Sequence, residues 1–165
     1  DLIINNIEAA CDDKTADDAR NNMLIAAFYA GVAITASGTT AVHALSYPLG
    51  GKYHIPHGVS NAIMLAPVMK FNEPVVREKF AAAYDRVNHN GDASLSVEEK
   101  SALVLDRMCS IIKHLDIPTS LKEYGVSKDD LEFLVTAGMD VQRLLVNNMR
   151  KVTAEDARAL YLEIL

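Results

Sequence analysis

Between Arg20 and Lys70 the chain carries one formal charge, Lys52. Inside this stretch lie three histidines, of which His43 and His57 are set apart by Pro48, Gly50, Gly51 and Pro56 between them. On one unbroken helix, residues fourteen apart would be separated by roughly 21 Å along the axis, too far to share a ligand. Pro48 lacks an N–H, Gly50-Gly51 favours a turn, and Pro56 biases Ile55 out of the helical region. The chain is therefore expected to fold back between the two histidines, which would let imidazoles from successive elements approach one site. Zinc and iron accept neutral imidazole, but such sites take three or four protein ligands, and two histidines do not complete one. A histidine in an apolar segment is more often a buried, hydrogen-bonded residue than a ligand, so spacing alone leaves both readings open.

The rest of the chain reads as helices. Residues 2–11 carry Leu2, Ile3, Ile4 and Ile7 in helical periodicity. Thr15-Ala-Asp-Asp18 has the form of a capping box opening a second helix. Met23, Ile25, Ala26, 28–30 and 32–34 of that helix are expected in the core, as in a bundle's central helix. After the fold-back, residues 58–70 read as a short apolar helix shortened or kinked by Pro67, with His57 just before its N-terminus. Free N–H groups there disfavour an imidazolium, which keeps His57 neutral. Residues 75–87 form an amphipathic helix and 88–92 a loop. Ser96-Val-Glu-Glu99, Ser127-Lys-Asp-Asp130 and Thr153-Ala-Glu-Asp156 are further capped starts. Leu131, Leu134, Val135, Met139, Leu145 and Val146 are expected to face inward. Repeated caps with no strand-type alternation point to an all-α domain.

Several classes are excluded. A net charge of −6 without a Lys/Arg stripe argues against nucleic acid. The longest apolar run, residues 23–34, fits a buried helix and is too short to span a membrane. The loop at 88–92 resembles a calcium loop only faintly, because the residue five before Gly91 is Arg86 and the twelfth is Val97. Cys11 and Cys109 have no paired spacing and read as reduced cysteines of a cytoplasmic protein. His89 reads as a solvated loop residue.

Ala30-Gly31, Val42-His43-Ala44-Leu45, Pro48-Leu49-Gly50-Gly51 and the run Y-H-I-P-H-G-V-S-N at 53–61 resemble the signature of the iron-containing (group III, metal-dependent) alcohol dehydrogenases. Residues 18–27, Ile117-Pro118-Thr119-Ser120 with the following 121–126, and 146–153 with Glu155-Asp156 extend the resemblance over nearly the whole chain. Met149 and Lys151 stand where proline would be expected.

The resemblance implies an enzyme with an N-terminal NAD(P)-binding domain and a C-terminal helical domain holding a divalent metal, iron or zinc. Residues 1–165 would be that single all-helical C-terminal domain, a bundle, with the cofactor domain absent. The family's ligands are one Asp and three His. His43 and His57 match two of them, and the others would lie upstream. A chain that opens on Asp1, already in helical pattern, agrees with truncation. Many members carry a further His where this chain has Tyr47, which would face the substrate. The tyrosine leaves a hydroxyacid–oxoacid transhydrogenase as an alternative, besides a non-catalytic helical interaction module. The implied partners are a small alcohol or aldehyde, the N-terminal domain and further copies in a homo-oligomer. An apolar face that packs on the absent domain should be exposed. The fragment itself should lack dehydrogenase activity.

Overall fold

Every regular element among the described residues, 1–89 and 92–165, is helical in this computed structural model. The loop expected at 88–92 includes Asn90 and Gly91, which lie outside those residues. The helices are α1 (Leu2–Asp12), α2 (Asp17–Ser37), α3 (Ala41–Tyr53), α4 (His57–Val87), α5 (Val97–His114), α6 (Leu131–Met139), α7 (Gln142–Leu145) and α8 (Ala154–Ile164). The chain divides into two units. One comprises Asp1–Gly38 with Val76–Leu115, the other Thr39–Val75 with Asp116–Leu165. The all-α expectation holds.

In the first unit α1 packs on α2. Arg107 grips Glu8 through both guanidinium nitrogens at 2.7 and 2.8 Å, and His114 pairs with Asp12. The capping box at Ser96 forms with Glu99 as expected. The one at Thr15 does not. Ala16 is the cap position, and the Thr15 hydroxyl instead meets Asp13 in a local turn. The expected burial of α2 also fails. Only Ala19 and Ala26 are buried on it, while Phe28 is 69% and Tyr29 61% exposed, with Ile25, Val32 and Ile34 exposed too. The reason is composition: α2 is apolar on all sides, and α1 covers one of them. No single helix among the described residues is long and apolar enough to cross a membrane.

The second unit holds the core and positions α3. Pro48 removes the N–H that would bond Ala44, and Gly50 and Gly51 each cost about 1 kcal/mol in a helix. The helix nevertheless runs through all three to Tyr53. Tertiary contacts outweigh these local penalties. Ala44, Leu45 and Leu49 are fully buried. The Tyr161 hydroxyl on α8 donates to the Leu45 carbonyl at 2.7 Å. Gly138 on α6 gives α3 a close seat, since a Cβ there would lie 2.8 Å from Leu45 Cδ2 and 2.8 Å from the Tyr161 hydroxyl.

Both ends of α3 are tied as well. Asn147 donates to the carbonyl of Thr39 at 3.1 Å. Lys52 Nζ meets Asp130 Oδ1 at 2.8 Å, while Asp130 also closes the capping box expected at Ser127. The Lys52 ammonium holds the Asp130 carboxyl well below the usual carboxylate range. A depressed carboxyl pKa stabilises the fold above the unfolded value, about 4, and that contribution is lost as pH falls through the folded value. The melting temperature should therefore drop as pH falls below about 4, and Asp130→Asn should flatten that acid limb relative to its own value at pH 7. A variant melting curve with the wild-type acid slope would remove Asp130 from the account.

The break between α3 and α4 comes later than Pro48. His54 takes the left-handed conformation at φ 56° and ends α3, Ile55 plugs the core at 2% exposure, and Pro56 accepts the first bond of α4 from Ser60. His57 is accordingly the first residue of α4 rather than the one before it. Nor does Pro67 shorten this helix, which continues through Pro67 and Pro74 and merges the two helices expected from sequence. Phe71 and Asn72 are held within the unit: Arg150 bonds the Phe71 carbonyl, and Asn72 forms a reciprocal amide pair with Asn148. Val146 points outward at 72% exposure, against expectation, because the chain beyond α7 turns through Asn147 and Asn148.

Candidate functional site

The sharp reversal at His54-Ile55-Pro56 brings the first turn of α3 beside the start of α4. The rings of His43 and His57 lie 5.5 Å apart between centroids. Tyr47 is one turn after His43 on α3, and its ring centroid is 6.3 Å from that of His57. All three residues singled out from sequence thus gather at one end of the α3–α4 corner. His43 is half-buried, and burial first, then the neighbouring His57, pushes its pKa down toward a neutral ring. His57 and Tyr47 are exposed beside it. Among the described residues no group of three or more His, Cys, Asp and Glu side chains is arranged to hold a metal ion.

Three further residues belong to this corner. Asn61, one turn along α4 from His57, has its amide nitrogen 2.9 Å from His57 Nε2. The contact ties one ring nitrogen of His57 to Asn61 and leaves Nδ1 outside it. The Asn61 carbonyl oxygen lies 2.7 Å from the buried hydroxyl of Ser46, which is also 3.0 Å from the His43 carbonyl oxygen. A polar chain therefore runs from the turn that carries His43 to the His57 ring and fixes its orientation. Arg143 on α7 reaches over Tyr47, with its guanidinium carbon 5.9 Å from the ring centroid. Asn61 was findable in the sequence as the i+4 neighbour of His57. Arg143, about a hundred residues further on, carried no local signal.

His54, His89 and His114 stand outside this cluster. His54 caps α3, His89 is exposed in a turn, and His114 is paired with Asp12.

The whole chain, residues 1–165, matches the family described as Fe-containing alcohol dehydrogenase family, C-terminal. The chain belongs to the iron-containing alcohol dehydrogenase family. It is 31% identical over 160 residues to long-chain-alcohol dehydrogenase 1 of Geobacillus thermodenitrificans, covering 97% of this chain and 40% of that protein. It is 33% identical over 144 residues to the lactaldehyde reductase of Escherichia coli, covering 87% of this chain and 37% of that one. Among solved structures, a 1,3-propanediol oxidoreductase superposes with a TM-score of 0.91 at 26% identity, over 99% of this chain and 42% of the other. The chain thus spans about two fifths of the length of the relatives it matches, and its helical fold is that of the family's C-terminal part.

Proposed function

We propose that this chain is the metal-binding helical domain of an NAD(P)-dependent alcohol dehydrogenase, acting on a small alcohol or aldehyde. The observation that carries the reading is the pair of imidazoles from successive helices, 5.5 Å apart, at the corner of α3 and α4. Two neutral imidazoles suit iron or zinc and supply half of a four-donor shell. His43 and His57 are the residues that would hold the ion, and the other donors would come from the remainder of the protein. A bound divalent ion supplies Lewis acidity at the substrate oxygen, and NAD(P) supplies the hydride donor or acceptor.

The chain's own residues have separable tasks. Burial keeps His43 available as a neutral base. Asn61, backed by Ser46, sets the plane of the His57 ring. Tyr47 lines the corner, where its hydroxyl would donate a hydrogen bond to a substrate oxygen. The apolar side of α2, with Leu24 and Phe28 about 70% exposed, would be covered by the remainder of the protein. A transhydrogenase of hydroxyacids and oxoacids is the second reading, favoured by Tyr47 at the position where many members carry histidine.

Metal removal tests the proposal. The intact protein should oxidise a primary alcohol with NAD(P)⁺, lose that turnover after exhaustive chelation, and regain it on adding Fe²⁺ or Zn²⁺. Full turnover in protein shown by elemental analysis to be metal-free would sink it.

A further inference from the structure

Among the described residues, Arg143 lacks the carboxylate partner that most of the chain's arginines have. Arg77, Arg86, Arg107 and Arg158 are each ion-paired with a carboxylate, and Arg150 bonds the Phe71 carbonyl and lies over the Phe71 ring. Among the described residues no carboxylate lies within ion-pair distance of Arg143, in a chain whose acidic residues outnumber its lysines and arginines by 22 to 16. The guanidinium instead lies over Tyr47, whose ring centroid is 6.3 Å from that of His57.

Its backbone is held firmly in register with the site. Leu144 and Leu145, the next two residues, are buried. Asn147 Nδ2 donates to the carbonyl of Thr39, just before α3, and lies 3.4 Å from the Arg143 carbonyl oxygen. The segment carrying Arg143 and the helix carrying His43 and Tyr47 are therefore indexed to one another by a shared side chain. A guanidinium offers five N–H donors in a planar fork that matches an oxyanion with two or three equivalent oxygens. An exposed, unpaired fork beside a reaction corner has its donors turned to solvent and free for a ligand.

We propose that Arg143, stacked on Tyr47 beside the His43–His57 pair, is the specificity residue that receives the anionic end of the substrate, so that the enzyme acts on a short hydroxy acid or its aldehyde acid rather than a plain alcohol. This rests on the dehydrogenase reading above and names its substrate class. The alcohol end would lie at the histidine corner and the oxyanion at the guanidinium. A sulfonate or phosphonate presents the same chemistry as a carboxylate. So does the dinucleotide's phosphate, which makes the cofactor the competing source of the anion.

The test uses the intact protein, wild type against Arg143→Ala and Arg143→Lys, with 4-hydroxybutanoate, 3-hydroxypropanesulfonate and 1-butanol as probes. Wild type should prefer one of the two anions over butanol. In Arg143→Ala the ratio of kcat/KM for that anion to kcat/KM for butanol should fall about 10- to 100-fold, the loss expected for a charge-assisted hydrogen bond. Most of the fall should come through the KM of the anion, and Arg143→Lys should recover part of it. Whichever anion is preferred identifies the oxyanion. An unchanged ratio overturns the assignment, as does a rise in the KM of NAD(P)⁺ with the ratio intact, which would give the anion to the cofactor. Wild-type turnover of butanol but of neither anion overturns it too. Failure of wild type to oxidise any of the three would instead count against the dehydrogenase reading itself.

Discussion

Gly138→Ala should lower the melting temperature of the 165-residue chain by roughly 5–10 °C, an unusually large effect for adding one methyl group. Two opposing terms decide the sign. Alanine is favoured over glycine in a helix interior by about 1 kcal/mol. Against this, the new Cβ would lie 2.8 Å from both Leu45 Cδ2 and the Tyr161 hydroxyl. Leu45 and Tyr161 are each fully buried, so neither can swing aside. Overpacking of this kind costs about 1–3 kcal/mol. Displacing Tyr161 would also break its bond to the Leu45 carbonyl and leave a buried hydroxyl unsatisfied, for a further 1–3 kcal/mol or so. The net is a loss of about 2–3 kcal/mol, and in a protein of this size each 1 kcal/mol shifts the midpoint by about 2–4 °C.

Gly31→Ala provides the internal control. Gly31 is on exposed α2, and a Cβ there meets nothing within 4 Å. Only the propensity term remains, so this variant should be as stable as wild type or up to about 1 kcal/mol more stable. Thermal melts followed by circular dichroism compare the two directly. Equal midpoints for the alanine variants at 138 and 31 would mean that α3 and α6 are not packed as closely as 2.8 Å implies. The functional consequence follows from position. Gly138 and Tyr161 seat the middle of α3, and α3 carries His43 and Tyr47, so loosening this contact should also blur the corner with His57.

The helical class of the chain was legible because it is written locally. The caps at Ser96, Ser127 and Thr153 form as their spacing requires, since each depends only on residues three apart. The fold-back between His43 and His57 was legible for a similar reason, though its place was not. Proline and glycine penalties of a few kcal/mol pointed to Pro48 and Gly50-Gly51. The burial of Leu45 and Leu49, and the seating of Leu45 against Gly138 and Tyr161 far away in sequence, outweigh them and the break comes at His54. The exposure of α2 escaped the pattern because periodicity reports that a face is apolar, not what covers it. In the site, His43, Tyr47 and His57 were marked by their own stretch of sequence and its family resemblance. Asn61 was marked by its i+4 spacing from His57, whereas Ser46 and Arg143 act through side-chain partners that only the folded corner supplies.

His57→Ala and His43→Ala in the intact protein should each strip the metal and cut turnover by about 100-fold or more. The magnitude follows from what lesser changes do: loss of a group that merely orients a ligand already costs about 10- to 100-fold in metal affinity or activity. Removing a ligand itself leaves a shell short of the number that iron or zinc takes. Metal per subunit after dialysis, read by elemental analysis, should fall well below that of wild type in both variants. The two changes should not add. Once one imidazole is gone the ion is already lost, so the double variant should be scarcely worse than either single one, as expected of residues that act as a unit. His114→Ala separates this effect from a general sensitivity to losing histidine, because His114 is paired with Asp12 in the other unit and its loss should leave metal content at the wild-type level. Retention of stoichiometric metal by His43→Ala or His57→Ala would show that the 5.5 Å imidazole pair is a packing contact, and the ion would have to be sought among donors elsewhere in the protein.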